Sequence, residues 1–134
     1  MKKQAKDWMQ YAQTDLQSIK TLLTDKNLTS VAAFHAQQCI EKSLKAILEL
    51  YDKKVPRIHD LRKLITVLEE ETIKFDINID SDILDQINQV YIDARYPADF
   101  GILPEGRPSF EKVELFLIEA EKIYNYSKQI IDNF

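Results

Sequence analysis

Three places in this 134-residue chain carry side chains able to do chemistry where packing alone would call for something else. The first is Asp15. Trp8, Tyr11, Ala12, Leu16, Ile19, Leu22 and Leu23 recur at helical spacing, which predicts a first helix from about Gln4 to Asp25. At about 100° per residue, Asp15 falls between Tyr11, Leu22 and Trp8, inside that apolar arc. A carboxylate there must be paired, hydrogen-bonded or protonated. Two readings stand: a helix rolled enough to wet Asp15 or a simple structural bond, or one wall of a polar pocket between helices.

The second place is a stripe on the next helix, where Gln38, Glu41, Lys42, Lys45 and Glu49 share one face with His35 at its margin. A solvated face is the plain reading, and the Glu41–Lys45 pair at i, i+4 is worth a few tenths of a kcal/mol. Phe34 lies on the same stripe, however, and the rest of that helix is apolar. Such a stripe on a central helix lines a groove. The third place is Asp93-Ala94-Arg95-Tyr96-Pro97, with Arg95 beside Tyr91 and Asn88 at the edge of a core face. Its guanidinium suits a helix C-terminus and equally a phosphate, whose two oxygens match its fork. Both readings remain open.

Other chemistries are excluded or unsupported. Of the two histidines, His35 lies near a core edge and His59 just before the third helix. No Cys, His or Asp spacing resembles a metal site, so no metal is expected. Cys39 is the single cysteine, which rules out an internal disulfide. There is no P-loop, GxGxxG or GxSxG, and only two glycines occur, so a Gly-rich phosphate cradle is excluded and no cofactor is expected.

The elements that must position these groups are helices. A second helix follows a break at Asn27 and Thr29 and runs to about Tyr51. Its apolar arc (Ala33, Ala36, Ile40, Leu44, Ile47, Leu48 and Tyr51, widened by Ala46 and Leu50) exceeds one packing face, which makes it central. Asp60 caps a short third helix with Leu61, Leu64, Ile65 and Leu68. Residues 73–79 alternate strictly, a strand signal with no second run to pair with, and read as an extended connector tucked against helices. Asp80 or Ser81 caps a fourth helix ending at Arg95-Tyr96-Pro97, because proline disfavours helical geometry before it. Ala98 to Pro108 is the one real loop. Ser109 caps the last helix, with Val113, Phe116, Leu117, Ala120, Ile123, Tyr124, Ser127 and Ile131 on one stripe. Leu115, Ile118 and Tyr126 lie off it. The expectation is an all-α, up-and-down bundle of about five helices forming a single domain over residues 1–134.

Composition agrees. With 45% hydrophobic and 30% charged residues the chain reads as globular. Its net charge of −4 argues against broad DNA binding, which needs a basic field. The start, Met1-Lys2-Lys3-Gln4, leads into an amphipathic segment, and no run approaches the ~20 apolar residues of a membrane span. A cytoplasmic location and no membrane contact are expected.

The residues together resemble a known family. Trp8…Ala12…Asp15-Leu16, the string from Phe34-His35-Ala36-Gln37-Gln38 through Glu41-Lys42-Ser43-Leu44-Lys45-Ala46, then His59-Asp60-Leu61 and Ala94-Arg95-Tyr96-Pro97 are similar to prokaryotic HEPN domains over nearly the whole chain. The resemblance implies a helical bundle that dimerises, often encoded beside a minimal nucleotidyltransferase as a toxin–antitoxin-like pair; other members are metal-independent ribonucleases. Those carry Arg, four to six residues, then His. Here Phe100, Gly101 and Ile102 stand at those distances from Arg95, and no histidine follows His59. Metal-free cleavage needs an acid or base active near neutral pH, which phenylalanine cannot supply.

Binding is therefore expected in preference to cleavage, with a nucleotide or RNA phosphate as ligand. Arg95 would hold the phosphate with Lys42 or Lys45 assisting, and Tyr96 would stack on a base. Asp15, Glu41 and Asp93 would orient the cations, and His35, Gln38 and His59 would support the groove. The alternatives are a ribonuclease using His35 or His59, and a non-catalytic homodimeric interaction module with Leu115, Ile118 and Tyr126 on its contact surface.

Overall fold

The computed structural model describes residues 2–95 and 107–134; the side chains of residues 93–95 are outside that description. Over the described residues the chain is an up-and-down bundle of five helices: α1 (Lys2–Leu22), α2 (Thr29–Leu50), α3 (Leu61–Glu70), α4 (Ser81–Arg95) and α5 (Phe110–Asp132). No strand occurs among the described residues. Among them, too, no helix is long and apolar enough to cross a membrane.

α2 is the central element its wide apolar arc predicts. It packs against α1, α3, α4 and α5, and Ala33, Ala36, Ile40, Leu44, Ala46, Ile47 and Leu48 are all fully buried. Facing it are Ala5, Met9, Ala12, Leu16 and Ile19 of α1, and Val113, Phe116, Ala120 and Ile123 of α5. Small residues on both α1 (Ala5, Ala12) and α2 (Ala32, Ala33, Ala36) let these two helices approach closely, the condition for side chains to reach across the seam.

The helix starts follow local chemistry. Asp60 accepts from the amides of Arg62 and Lys63, and Ser109 from that of Lys112. Of the two caps open for α4, Asp80 takes the role, its Oδ1 accepting from Asp82 and Ile83. The first boundary differs from expectation. α1 stops at Leu22, Asp25 caps a 3-10 turn over Lys26–Leu28, and Thr29 is the first residue of α2, its buried hydroxyl without a hydrogen-bond partner among the described residues. Asp25 outcompetes Asn27 because its carboxylate reaches the Asn27 amide at 2.8 Å. α2 and α3 end on left-handed residues, Asp52 (φ 55°) and Thr72 (φ 58°), each followed by an amide bonded back into the last turn (Lys53 to Leu48, Ile73 to Leu68).

The alternating segment forms no strand. Ile73 is buried, while Phe75, Ile77 and Ile79 pack half-buried on the core. Tyr126 of α5 clamps it: its hydroxyl oxygen accepts from the Asp76 amide at 2.8 Å and its ring meets Phe75. Glu119, also buried on α5, accepts from the Asp80 amide and so fixes where α4 begins.

Candidate functional site

Asp15 is buried and paired. Its Oδ2 takes the Lys42 ammonium at 2.7 Å and its Oδ1 lies 2.9 Å from Nδ1 of His35. Further along α2 the arrangement repeats. Glu41, equally buried, takes Lys45 at 3.0 Å on Oε2 and Nδ1 of His59 at 2.9 Å on Oε1. Each lysine ammonium also lies 5.9 Å from an aromatic centroid on α1, Lys42 over Tyr11 and Lys45 over Trp8. Two parallel chains of aromatic ring, ammonium, carboxylate and imidazole therefore cross the seam between α1 and α2.

A carboxylate paired with an ammonium only accepts, so Nδ1 of each histidine is the donor and Nε2 is the nitrogen left for a ligand. The chains differ in what reaches the surface. The Lys45 side chain is 6% exposed and its histidine, His59, 51%. Lys42 is 23% exposed and His35 28%.

Gln37 joins the second chain to the connector before α3. Fully buried, it donates to Glu41 Oε1 at 3.1 Å and to the His59 carbonyl at 2.7 Å, and accepts from Gln38 Nε2 at 2.6 Å. The histidines share an aromatic platform. Phe34 and Tyr91 stack with centroids 5.6 Å apart at 15°; the His35 ring meets the edge of Phe34 at 5.7 Å, and His59 leans on Tyr91 at 5.4 Å. Tyr91 brings α4 to the site.

The structure thus gathers Asp15, His35, Gln38, Glu41, Lys42, Lys45 and His59 of the expected residues. Asp93 and Arg95 stand on the last turn of α4 with side chains outside the description, and Tyr96 and residues 97–106 lie outside the described residues. Gln37, Trp8 and Tyr91 are the additions. Gln37 had a readable signal, being an amide on an otherwise apolar helix face one turn before Glu41. Among the described residues, no group of three or more His, Cys, Asp or Glu side chains is placed to hold a metal ion.

Cys39 lies beneath the seam. Burial, then the charge of Asp15, pushes its thiol from an ordinary 9.0 up to about 12, so it stays protonated and inert at neutral pH. Elsewhere, a groove of about 400 Å³ opens between α1 and α5, lined by Lys6, Gln10, Gln13, Tyr124, Lys128 and Asp132 among others. It shares no residue with the seam. Lys128 is ion-paired there with Asp132 at 2.5 Å, and burial raises the Tyr124 hydroxyl. The groove holds no imidazole, whereas the seam holds two, each aimed by a carboxylate; the seam is the better candidate for chemistry.

Comparison with known proteins agrees with this architecture. The HEPN domain profile matches residues 5–131. Two solved structures are similar along the chain. One is that of ST0689, an archaeal HEPN homologue, with 25% identity and TM-score 0.67, covering 95% of this chain and 97% of that one. The other, TT1696 from Thermus thermophilus, shows 26% identity and TM-score 0.69, covering 93% and 96%. Among curated proteins none matches significantly. A profile match spanning all five helices, together with these full-length structural likenesses, places the chain in the HEPN domain family.

Proposed function

We propose that the chain binds a nucleotide or an RNA phosphate at the open edge of the α1–α2 seam, as one member of a toxin–antitoxin-like pair with a minimal nucleotidyltransferase. The observation that carries the binding half is the convergence of His35 and His59 on one Phe34–Tyr91 platform, each ring oriented by a buried carboxylate. Each imidazole presents Nε2, which donates to a phosphate oxygen when the ring is protonated, and the half-exposed His59 ring offers a face to a base. Arg95 is the further phosphate ligand suggested by its sequence context. The pairing half rests on the family alone. Calorimetry with a nucleotide tests the first part: Arg95→Ala is expected to abolish binding with helical content unchanged. Undiminished affinity would remove Arg95 from the site.

The histidine pair also favours a second reading, metal-independent RNA cleavage without the family's arginine and a histidine four to six residues beyond it. One imidazole would take the 2′-hydroxyl proton as that oxygen attacks phosphorus, and the other would protonate the departing 5′-oxygen. This chemistry survives EDTA. Intact RNA after incubation with the purified protein in EDTA argues against it. Leu115 and Ile118, exposed on α5, support self-association; Tyr126 is occupied by the connector. A monomeric mass in light scattering would count against the dimer.

A further inference from the structure

The seam contains two carboxylates and two ammonium groups, and the pairing leaves its fixed charge balanced. Lys42 is occupied by Asp15 and the Tyr11 face; Lys45 is occupied by Glu41 and the Trp8 face and is almost wholly enclosed. A close pair of opposite charges presents little field to an approaching anion. The chain as a whole carries −4, which repels one. Arg95 apart, a phosphate at the seam therefore needs a positive charge that neither lysine supplies. The groups that reach the surface beside these pairs are the imidazoles of His35 and His59, and protonation turns each carboxylate–lysine–histidine set from neutral to singly positive.

Resting on the binding reading above, we propose that protonated His35 and His59, and not Lys42 or Lys45, carry the charge that meets the ligand's phosphate, so that the phosphate and protons bind together. Lys42 and Lys45 are positioning residues: they hold Asp15 and Glu41 as acceptors, and these fix Nδ1 of each ring and turn Nε2 to the ligand. The neighbours are consistent with this coupling. His35 faces Asp15 of α1, whose other oxygen holds Lys42 of α2, and has Tyr91 of α4 across Phe34. His59 faces Glu41 and Lys45 of α2, Tyr91 of α4, and the adjacent Asp60, whose carboxylate is engaged in capping α3. α4 ends nearby in sequence with Asp93 and Arg95. A ligand oxygen at Nε2 favours the imidazolium, so ligand and proton bind together and affinity rises as pH falls.

The test is titration calorimetry of the full chain with the dinucleotide UpU, whose phosphodiester keeps a constant charge over the range. It is run between about pH 6 and about pH 8, at each pH in two buffers of different ionisation enthalpy. The expected result is at least about a tenfold loss of affinity from the low to the high end of that range, with net proton uptake on binding. His35→Gln and His59→Gln, which keep a donor for Asp15 and Glu41, are each expected to lower the uptake while retaining wild-type helicity. Binding of constant affinity with no proton uptake would overturn the proposal and leave the binding reading intact. So would wild-type uptake in both variants. No binding at any pH would overturn both.

Discussion

The two charge chains across the α1–α2 seam have the same parts in opposite exposure. In the Asp15 chain the lysine is partly open and the histidine partly covered; in the Glu41 chain the lysine is enclosed and the histidine open. The cause lies in what covers each. Trp8 lies over Lys45, while Lys42 has the outward-facing Tyr11, itself 65% exposed. Gln37 and the connector before α3 close over Glu41 and leave only the His59 ring outside. An ion pair's contribution depends on burial, so one pattern of residues yields a structural strut at one end of the seam and a more adaptable contact at the other.

Substituting the lysines separates the two most strongly. Lys45→Met is expected to lower folding stability by about 3–5 kcal/mol in chemical denaturation, because it leaves Glu41 enclosed without its cation. Lys42→Met should cost less, about 2 kcal/mol, because Asp15 is as buried as Glu41 but lies beneath a lysine side chain that water already partly reaches. Equal losses would break the comparison. Thr72→Gly probes the bundle away from the seam; it relieves a β-branched residue at φ 58° and should add roughly 1 kcal/mol.

Alkaline stability sharpens the comparison further, because Cys39 senses Asp15. The folded thiol's value lies above its unfolded one, so its contribution is full below about pH 9 and is lost as pH rises towards about 12. Cys39→Ala should flatten that part of the stability profile relative to wild type. Asp15→Asn should shorten the window from its upper end, because it removes the second cause of the shift, and Glu41→Gln should leave it alone. Hydrogen-exchange or denaturant midpoints across this range decide the matter.

The smallest effect is expected outside the seam. Arg62 and Asp85 join α3 to α4 by two parallel bonds of 2.7 and 2.9 Å, yet both are about half exposed. Arg62 holds the Asp85 carboxyl below its ordinary 3.8, so the pair's contribution is present above that value and fades only as pH falls below it. Asp85→Asn should leave the denaturation midpoint at neutral pH unchanged within error.

The fold was readable because α1, α2 and α5 carry long, uninterrupted helical periodicity, and Asp60 and Ser109 mark starts that packing did not override. Asp15 was legible for the same reason: a regular apolar arc makes one carboxylate conspicuous. Glu119, between Phe116 and Ile123 on α5, is a buried carboxylate that carries the same signal. Helical spacing on α2 identified Glu41 and Lys45 as a pair. Their enclosure was hidden, since Trp8 from another helix and His59 from a loop 18 residues away supply the cover. The break before α2 differs from expectation because three polar residues, Asp25, Asn27 and Thr29, compete to cap within a few positions of one another.

The central claim is that the seam, and not the α1–α5 groove, receives the ligand. The most direct measurement is an NMR titration with UpU that follows the ring signals of His35 and His59. The account predicts that both move together with those of Tyr91 as UpU binds. Unmoved histidines alongside shifting signals from Gln10, Tyr124 and Lys128 would contradict it.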